Sequence, residues 1–257
     1  MSAPGVLFEA VNPSVVVVTL NRAEKRNALN TGLMEELCAA VHNASTDTRC
    51  RALILRGNGP VFCAGLDLHE ASLPEATERS ARALAELYKA ICLSPLVTIA
   101  AAQGAAMGGG VGLLAACDLV VASDDLRIGF PEVRRGLVAA LVTALLRRQL
   151  PERVLRELVL LGQTITATDA LSHGLVNRVV PSDRLTGETE RLAGQVLQGA
   201  PAAITRTKSL LDDLAPRPIA SDLVHALRYH LEARDDSEAA EGIAAFLQKR
   251  EPRWLRP

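Results

Sequence analysis

Aromatic residues are scarce, 3% of 257, and nowhere do they interleave with a run of Lys and Arg. Charge of either sign is also in short excess, 28 Lys plus Arg against 29 Asp plus Glu. A chain without a basic stripe offers nothing for a nucleic-acid backbone, so no nucleic-acid partner is expected. No apolar run reaches the roughly 18 residues of a membrane span. The longest, Ala105 to Cys117, is rich in glycine and ends at Asp118, which reads as a buried segment. Met1 to Gly5 offer neither the basic nor the hydrophobic part of a secretory leader. A cytoplasmic protein with no membrane association is therefore expected. Cys38, Cys50, Cys63, Cys92 and Cys117 are odd in number and show no C-x-x-C or Cys/His ligand spacing. That excludes a disulfide framework and a zinc site, and no metal is expected.

What is present is a composition of 49% hydrophobic and 22% charged residues, ample for a large buried core. Val15 to Leu20 and Ala52 to Arg56 are β-branched or apolar runs closed by polar or glycine residues, as buried strands are. Between them Leu33, Leu37, Ala40, Val41 and Ala44 share one helical face, with Thr31 placed to cap it. A helical stretch with Leu84, Leu87, Tyr88 and Ile91 on one face precedes a third strand, Leu96 to Ala102, and Leu119 to Ala122 make a fourth. Alternating strands and helices predict an α/β fold. From about Pro151 the pattern becomes helical: Arg153 to Leu161, Ser182 to Leu197, Ala202 to Leu214 and Ser221 to Lys249. The expected division is a core over 1–200 and a helical region over 201–257.

The most unusual segment is the glycine-rich turn Gln103 to Gly112, between a strand and a helix running to Cys117. Such a turn exposes N–H groups beside a helix N-terminus, suited to a phosphate, a carboxylate or an oxyanion. The dinucleotide fingerprint G-x-G-x-x-G fails at Leu113, where its third glycine should stand. A second glycine turn, Gly57 to Leu68, follows another strand. Two converging amides would make an oxyanion hole.

Phe62-Cys63-Ala64-Gly65-Leu66-Asp67-Leu68, Gly104 to Gly112, Ala116-Cys117-Asp118-Leu119 and Pro131-Glu132 resemble, in order and spacing, the enoyl-CoA hydratase/isomerase (crotonase) family. Arg22 to Leu29 and Ala170 to Pro181 extend the resemblance across essentially the whole chain. It implies a spiral of ββα turns forming two roughly perpendicular sheets, then carboxy-terminal helices that join subunits into a homotrimer or a homohexamer of two trimers. It implies an acyl-CoA thioester as substrate, with CoA part of that substrate and no separate cofactor. The thioester oxygen would accept hydrogen bonds from the amides of Leu66 and Gly109. Lys25, Arg26 and Ala28 would lie near the nucleotide, and Ala64, Gly65, Asp67 and Leu68 along the adenine and pantetheine path. Asp67 also reads as a local cap.

Hydratases of the family commonly use two glutamates, and here the first of those positions is Gly112. The second is Glu132, flanked by Phe130, Pro131 and Val133, a setting that would desolvate it and raise its pKa. Glu70, Glu75, Glu78 and Glu86 fall on a polar stretch and do not compensate. One carboxylate suits double-bond isomerisation, whereas the Glu-Val-Arg-Arg-Gly-Leu segment resembles branched-chain hydratases such as methylglutaconyl-CoA hydratase. Both reactions stay open at this point, with decarboxylation, hydrolysis, a retro-aldol reaction or a non-catalytic acyl-CoA scaffold as alternatives. Arg134 or Arg135 could bind a substrate carboxylate or pair with another subunit. His69 and His173 read as structural, the latter facing a helix end at Gly174.

Overall fold

A computed structural model describes residues 4–255, the side chain of Pro74 excepted. Among the described residues nine strands lie in two sheets. In chain order they are β1 (Val6–Asn12), β2 (Val15–Leu20), β3 (Ala52–Gly57), β4 (Val97–Ala102), β5 (Ala105–Met107), β6 (Leu119–Ser123), β7 (Arg127–Gly129), β8 (Thr164–Thr166) and β9 (Arg178–Val180). The larger sheet runs β1-β2-β3-β4-β6-β9, the smaller β5-β7-β8. Only the β1/β2 and β7/β8 pairs are antiparallel. Within the described residues, these α-helices connect and cover them: α1 (Thr31–Thr46), α2 (Leu68–Ala71), α3 (Pro74–Cys92), α4 (Gly109–Ala116), α5 (Ala140–Leu146), α6 (Glu152–Leu161), α7 (Ala167–His173), α8 (Leu185–Val196), α9 (Pro201–Asp213), α10 (Ile219–Arg234) and α11 (Ser237–Leu247).

The continuous apolar runs of β2, β3 and β4 have the burial expected of parallel strands covered on both faces. Val16, Val18, Leu20, Leu53 and Leu55 face a core built with α1, α3, α4 and α5. Val15, Val17, Ile54, Ile99 and Val121 face the opposite way, onto Leu185, Leu192 and Ala193 of α8. Burying a Val, Leu or Ile side chain is worth roughly 1.5–3 kcal/mol, so these alternating faces anchor the sheet.

Several expectations need correction. Asn30, not Thr31, caps α1, its side chain accepting from Leu33 N at 3.0 Å, while the Thr31 hydroxyl is buried without a partner. The last third is not wholly helical: β8 and β9 complete the two sheets. The single helix foreseen over Ser221 to Lys249 is two, because Asp236 turns extended and caps α11 by accepting from Glu238 N. No helix among the described residues is long and apolar enough to cross a membrane. All five cysteines are unpaired, three of them buried.

Candidate active site

Three loops leave the carboxyl ends of the adjacent parallel strands β2, β3 and β4, where open α/β sheets bind ligands. Two amide side chains lace them together. Asn27, buried and left-handed at φ 54°, donates to the carbonyls of Asn58 and Val61 at 2.9 and 2.8 Å. Gln103 donates to Gly57 and Gly59 at 2.7 and 2.8 Å. Backbone bonds from Ala64 N to Arg26 O, Leu29 N to Gly65 O and Asp67 N to Leu29 O then lay the first loop alongside the second.

Lys25, Arg26, Ala28, Ala64, Gly65, Asp67 and Leu68 thus share one edge. Lys25 and Arg26 are exposed and form no ion pair among the described residues. Leu68 is buried against Ala71 and Ile243. Asp67 is engaged within the fold: it caps α2 through His69 N at 3.2 Å and pairs with Arg22 at 3.2 Å.

The second and third loops meet glycine to glycine. A Cβ on Gly65 would stand 2.6 Å from Met107 O and 3.4 Å from Gly109 N, and one on Gly109 would stand 3.6 Å from Leu66 N. Gly108 has φ 47° and ψ −113°, a backbone shape that side chains disfavour strongly. This close approach brings the N–H groups of Leu66 and Gly109 together, and neither donates to an acceptor among the described residues. Gly109 is also the first residue of α4, whose dipole adds partial positive charge. Two preorganised donors at one point suit an oxygen that gains negative charge.

Glu132 closes the site. It stands in a 3-10 turn, Pro131–Arg135, after β7, and a Cβ on Gly108 would lie 2.5 Å from its Oε1. The turn is gripped from behind by α11: side chains at Gly136 or Gly242 would collide with the backbones of Glu238 and Arg135. Glu132 Oε2 is buried with no hydrogen-bond partner among the described residues. Burial pushes the carboxyl up to about 7, with its own backbone N–H and the charge of Arg135 pulling the other way.

The neighbouring acids are committed elsewhere: Asp67 as above, and Glu70, which accepts from Thr31 N at 2.7 Å. Glu70 is therefore a fixed, partly buried residue of the α1 N-terminus and not part of a loose surface stretch. Arg134 donates to Leu161 O at 3.1 Å, whereas the Arg135 guanidinium lies 4.0 Å from the Phe246 ring centre. His173 occupies the last turn of α7 before left-handed Gly174, and His69 is exposed on α2.

One residue of the site escaped sequence reasoning. Tyr88, expected in the core as part of a helical stripe, is fully buried, and its hydroxyl donates to Gly109 O at 2.7 Å. That hydroxyl fills the space where a side chain on Gly112 would begin. A hydroxyl-tipped residue on an otherwise apolar face of α3 was the only available signal.

An α/β sheet whose strand ends present two free amides opposite a desolvated carboxylate defines a class of enzymes that stabilise a developing oxyanion while moving a proton. Residues 10–257 match the enoyl-CoA hydratase/isomerase family, and the chain belongs to it. It is an acyl-CoA-processing enzyme of the crotonase fold. The 2,3-dehydroadipyl-CoA hydratase of Escherichia coli is 33% identical over 239 residues, 93% of this chain and 94% of its own. An enoyl-CoA hydratase from Mycobacterium avium superposes with a TM-score of 0.87 at 32% identity, covering 99% of this chain and 100% of that one. A carnitinyl-CoA hydratase from the same species gives 0.85 at 31% identity, with both chains covered in full, 100% each.

Proposed function

We propose that Glu132 is the single acid/base group of the site and that the enzyme moves the double bond of an enoyl-CoA between the 3- and 2-positions. Glu132 removes a proton from C2 of a 3-enoyl thioester. The electron pair moves into the thioester carbonyl, whose oxygen takes the negative charge between the amides of Leu66 and Gly109. Glu132 then returns the proton at C4 and the enolate collapses to the 2-enoyl product. Each amide is worth about 3 kcal/mol of transition-state stabilisation in a site that excludes water. A carboxyl near pH 7 serves both as base and as acid without a large cost in either direction.

The observation that carries this reading is the closure of position 112 by Tyr88, which leaves no room for a second carboxylate beside Glu132. Hydration is the second reading, favoured by the names of the Escherichia coli and Mycobacterium avium relatives. It would require Glu132 alone to activate water and supply the proton. The two are separated by incubating the enzyme with matched 2-enoyl- and 3-enoyl-CoA in deuterated water and reading products by mass spectrometry. The expected result is conversion of 3-enoyl to 2-enoyl thioester with deuterium incorporated and no gain of a water. Rapid addition of water to the 2-enoyl substrate, without double-bond migration, would replace this reading by the second.

The same proposal gives Lys25 and Arg26 the phosphates of CoA, supported by their exposed, uncommitted charges beside Ala64. It places Ala28 beside them near the nucleotide, and Ala64, Gly65, Asp67 and Leu68 along the adenine and pantetheine path. It also makes 201–257 the surface through which subunits assemble as trimers or hexamers. Leu211, Leu214, Val224 and Tyr229 support this, lying exposed on α9, its C-terminal end and α10. A cytoplasmic place and a role in fatty-acid metabolism belong to the same reading.

A further inference from the structure

The hydroxyl of Tyr88 performs a task that core packing does not explain. Burying a phenol costs free energy unless its O–H is bonded, and phenylalanine would pack the same space without that cost. Instead the O–H reaches the first residue of α4, bonding Gly109 O at 2.7 Å. Gly109 stands in a run, Gly108-Gly109-Gly110, that has no side chain of its own to lock its dihedrals. Glycine has the most backbone freedom to lose, and each peptide of the run is held by a bond: Gly108 O accepts from Val111 N at 2.9 Å within the first turn, and Gly109 O accepts from Tyr88, outside it. A Cβ on Gly109 would sit 3.5 Å from the Tyr88 hydroxyl and 3.6 Å from Leu66 N, so the phenol lies directly behind the paired amides. Burial, with smaller contributions from Cys63 and Glu132, pushes the phenol well above its ordinary pKa, which keeps it a neutral donor.

We propose that Tyr88 is a positioning residue of the oxyanion hole: its hydroxyl holds the Gly109–Gly110 peptide through Gly109 O and so fixes where Gly109, whose N–H belongs to the preceding peptide, stands against Leu66. With no exposed surface, it does not touch the substrate and acts only through Gly109. The inference rests on the assignment of Gly109 as an oxyanion donor but not on which enoyl-CoA reaction follows.

The test is Tyr88→Phe in the full-length protein, read in three ways. The turnover of 3-enoyl-CoA gives kcat and KM. The ultraviolet absorbance of a bound 3-ketoacyl-CoA enolate reports charge on the thioester oxygen. Binding of a saturated acyl-CoA reports the pocket without enolate charge. The expected result is a fall of about tenfold in kcat and in the enolate signal, with KM and saturated acyl-CoA binding within about twofold of wild type, the pattern of an interaction made only in the transition state. Wild-type kcat and enolate signal in Tyr88→Phe would overturn the proposal. So would an equal loss of saturated acyl-CoA binding, which would mark a collapsed pocket. If the wild type bound the ketoacyl enolate but turned over no enoyl-CoA, the isomerase reading would fail while the role of Tyr88 was still measured. Should Tyr88→Phe not fold, 3-fluorotyrosine at 88 keeps the shape with a stronger donor. An enolate signal higher than wild type then supports the proposal and an unchanged signal refutes it.

Discussion

Glu132→Gln removes turnover by roughly 10³-fold and, at pH 8, makes the protein more stable than the wild type. Loss of a positioned general acid/base typically costs 10²–10⁴-fold, and no second carboxylate stands at the amide pair to take over. The stability gain follows from the same desolvation. In the folded chain the carboxyl titrates near 7 instead of its ordinary 4.5. Between those two values the folded protein holds a proton that the unfolded chain has released, so stability falls as pH rises through that window and stays lower above it. Glutamine carries no such charge. The difference at pH 8 approaches about 3 kcal/mol and vanishes below pH 4.5. Thermal melts of the two proteins at pH 8 and near pH 4.5 therefore diverge at the higher pH, by several degrees for a chain of this size. Equal melting at both would show that the carboxyl is not desolvated.

Gly112→Glu does not install a second catalytic carboxylate; it destabilises the fold by about 4 kcal/mol. The first side-chain atom would coincide with the Tyr88 hydroxyl, and both residues are fully enclosed. Overpacking a tight core costs about 1–3 kcal/mol, and a buried carboxylate without a partner adds several more unless it stays protonated. A melting temperature lower by roughly 10 °C is expected. Making room restores part of it, so Gly112→Glu with Tyr88→Ala melts higher than the sum of the two single losses would give. A stable Gly112→Glu protein that gained rapid hydration would show instead that the phenol swings aside.

How far the chain could be read from its letters varied with the physical signal. β2, β3, β4 and β6 were visible because parallel strands covered on both faces are unbroken apolar runs. β1 was not, since its Glu9 and mostly exposed residues pair only along one edge of the sheet. β5, β7, β8 and β9 have three residues each, too short for any period to show. Asn30 and Thr31 are both good caps by composition, and only the bond to Leu33 N decides between them. For the site, the expectation of Leu66 and Gly109 comes from the family resemblance of their glycine turns, and that of Glu132 from its place after them in the same resemblance. Tyr88 lies twenty-one positions from Gly109 along the chain, on a helix whose stripe reads as ordinary core. Its meeting with Gly112 exists only after α3 packs on α4.

The most direct test of a single desolvated carboxylate as proton carrier is the pH dependence of kcat/KM for a 3-enoyl-CoA, measured from pH 5 to 9. Base catalysis by Glu132 predicts a rate that rises tenfold per pH unit at the acid end and levels off with a bend at about 7. A profile flat from pH 5 upward, with any bend below 5, would mean that Glu132 titrates as an ordinary surface glutamate and would contradict the account.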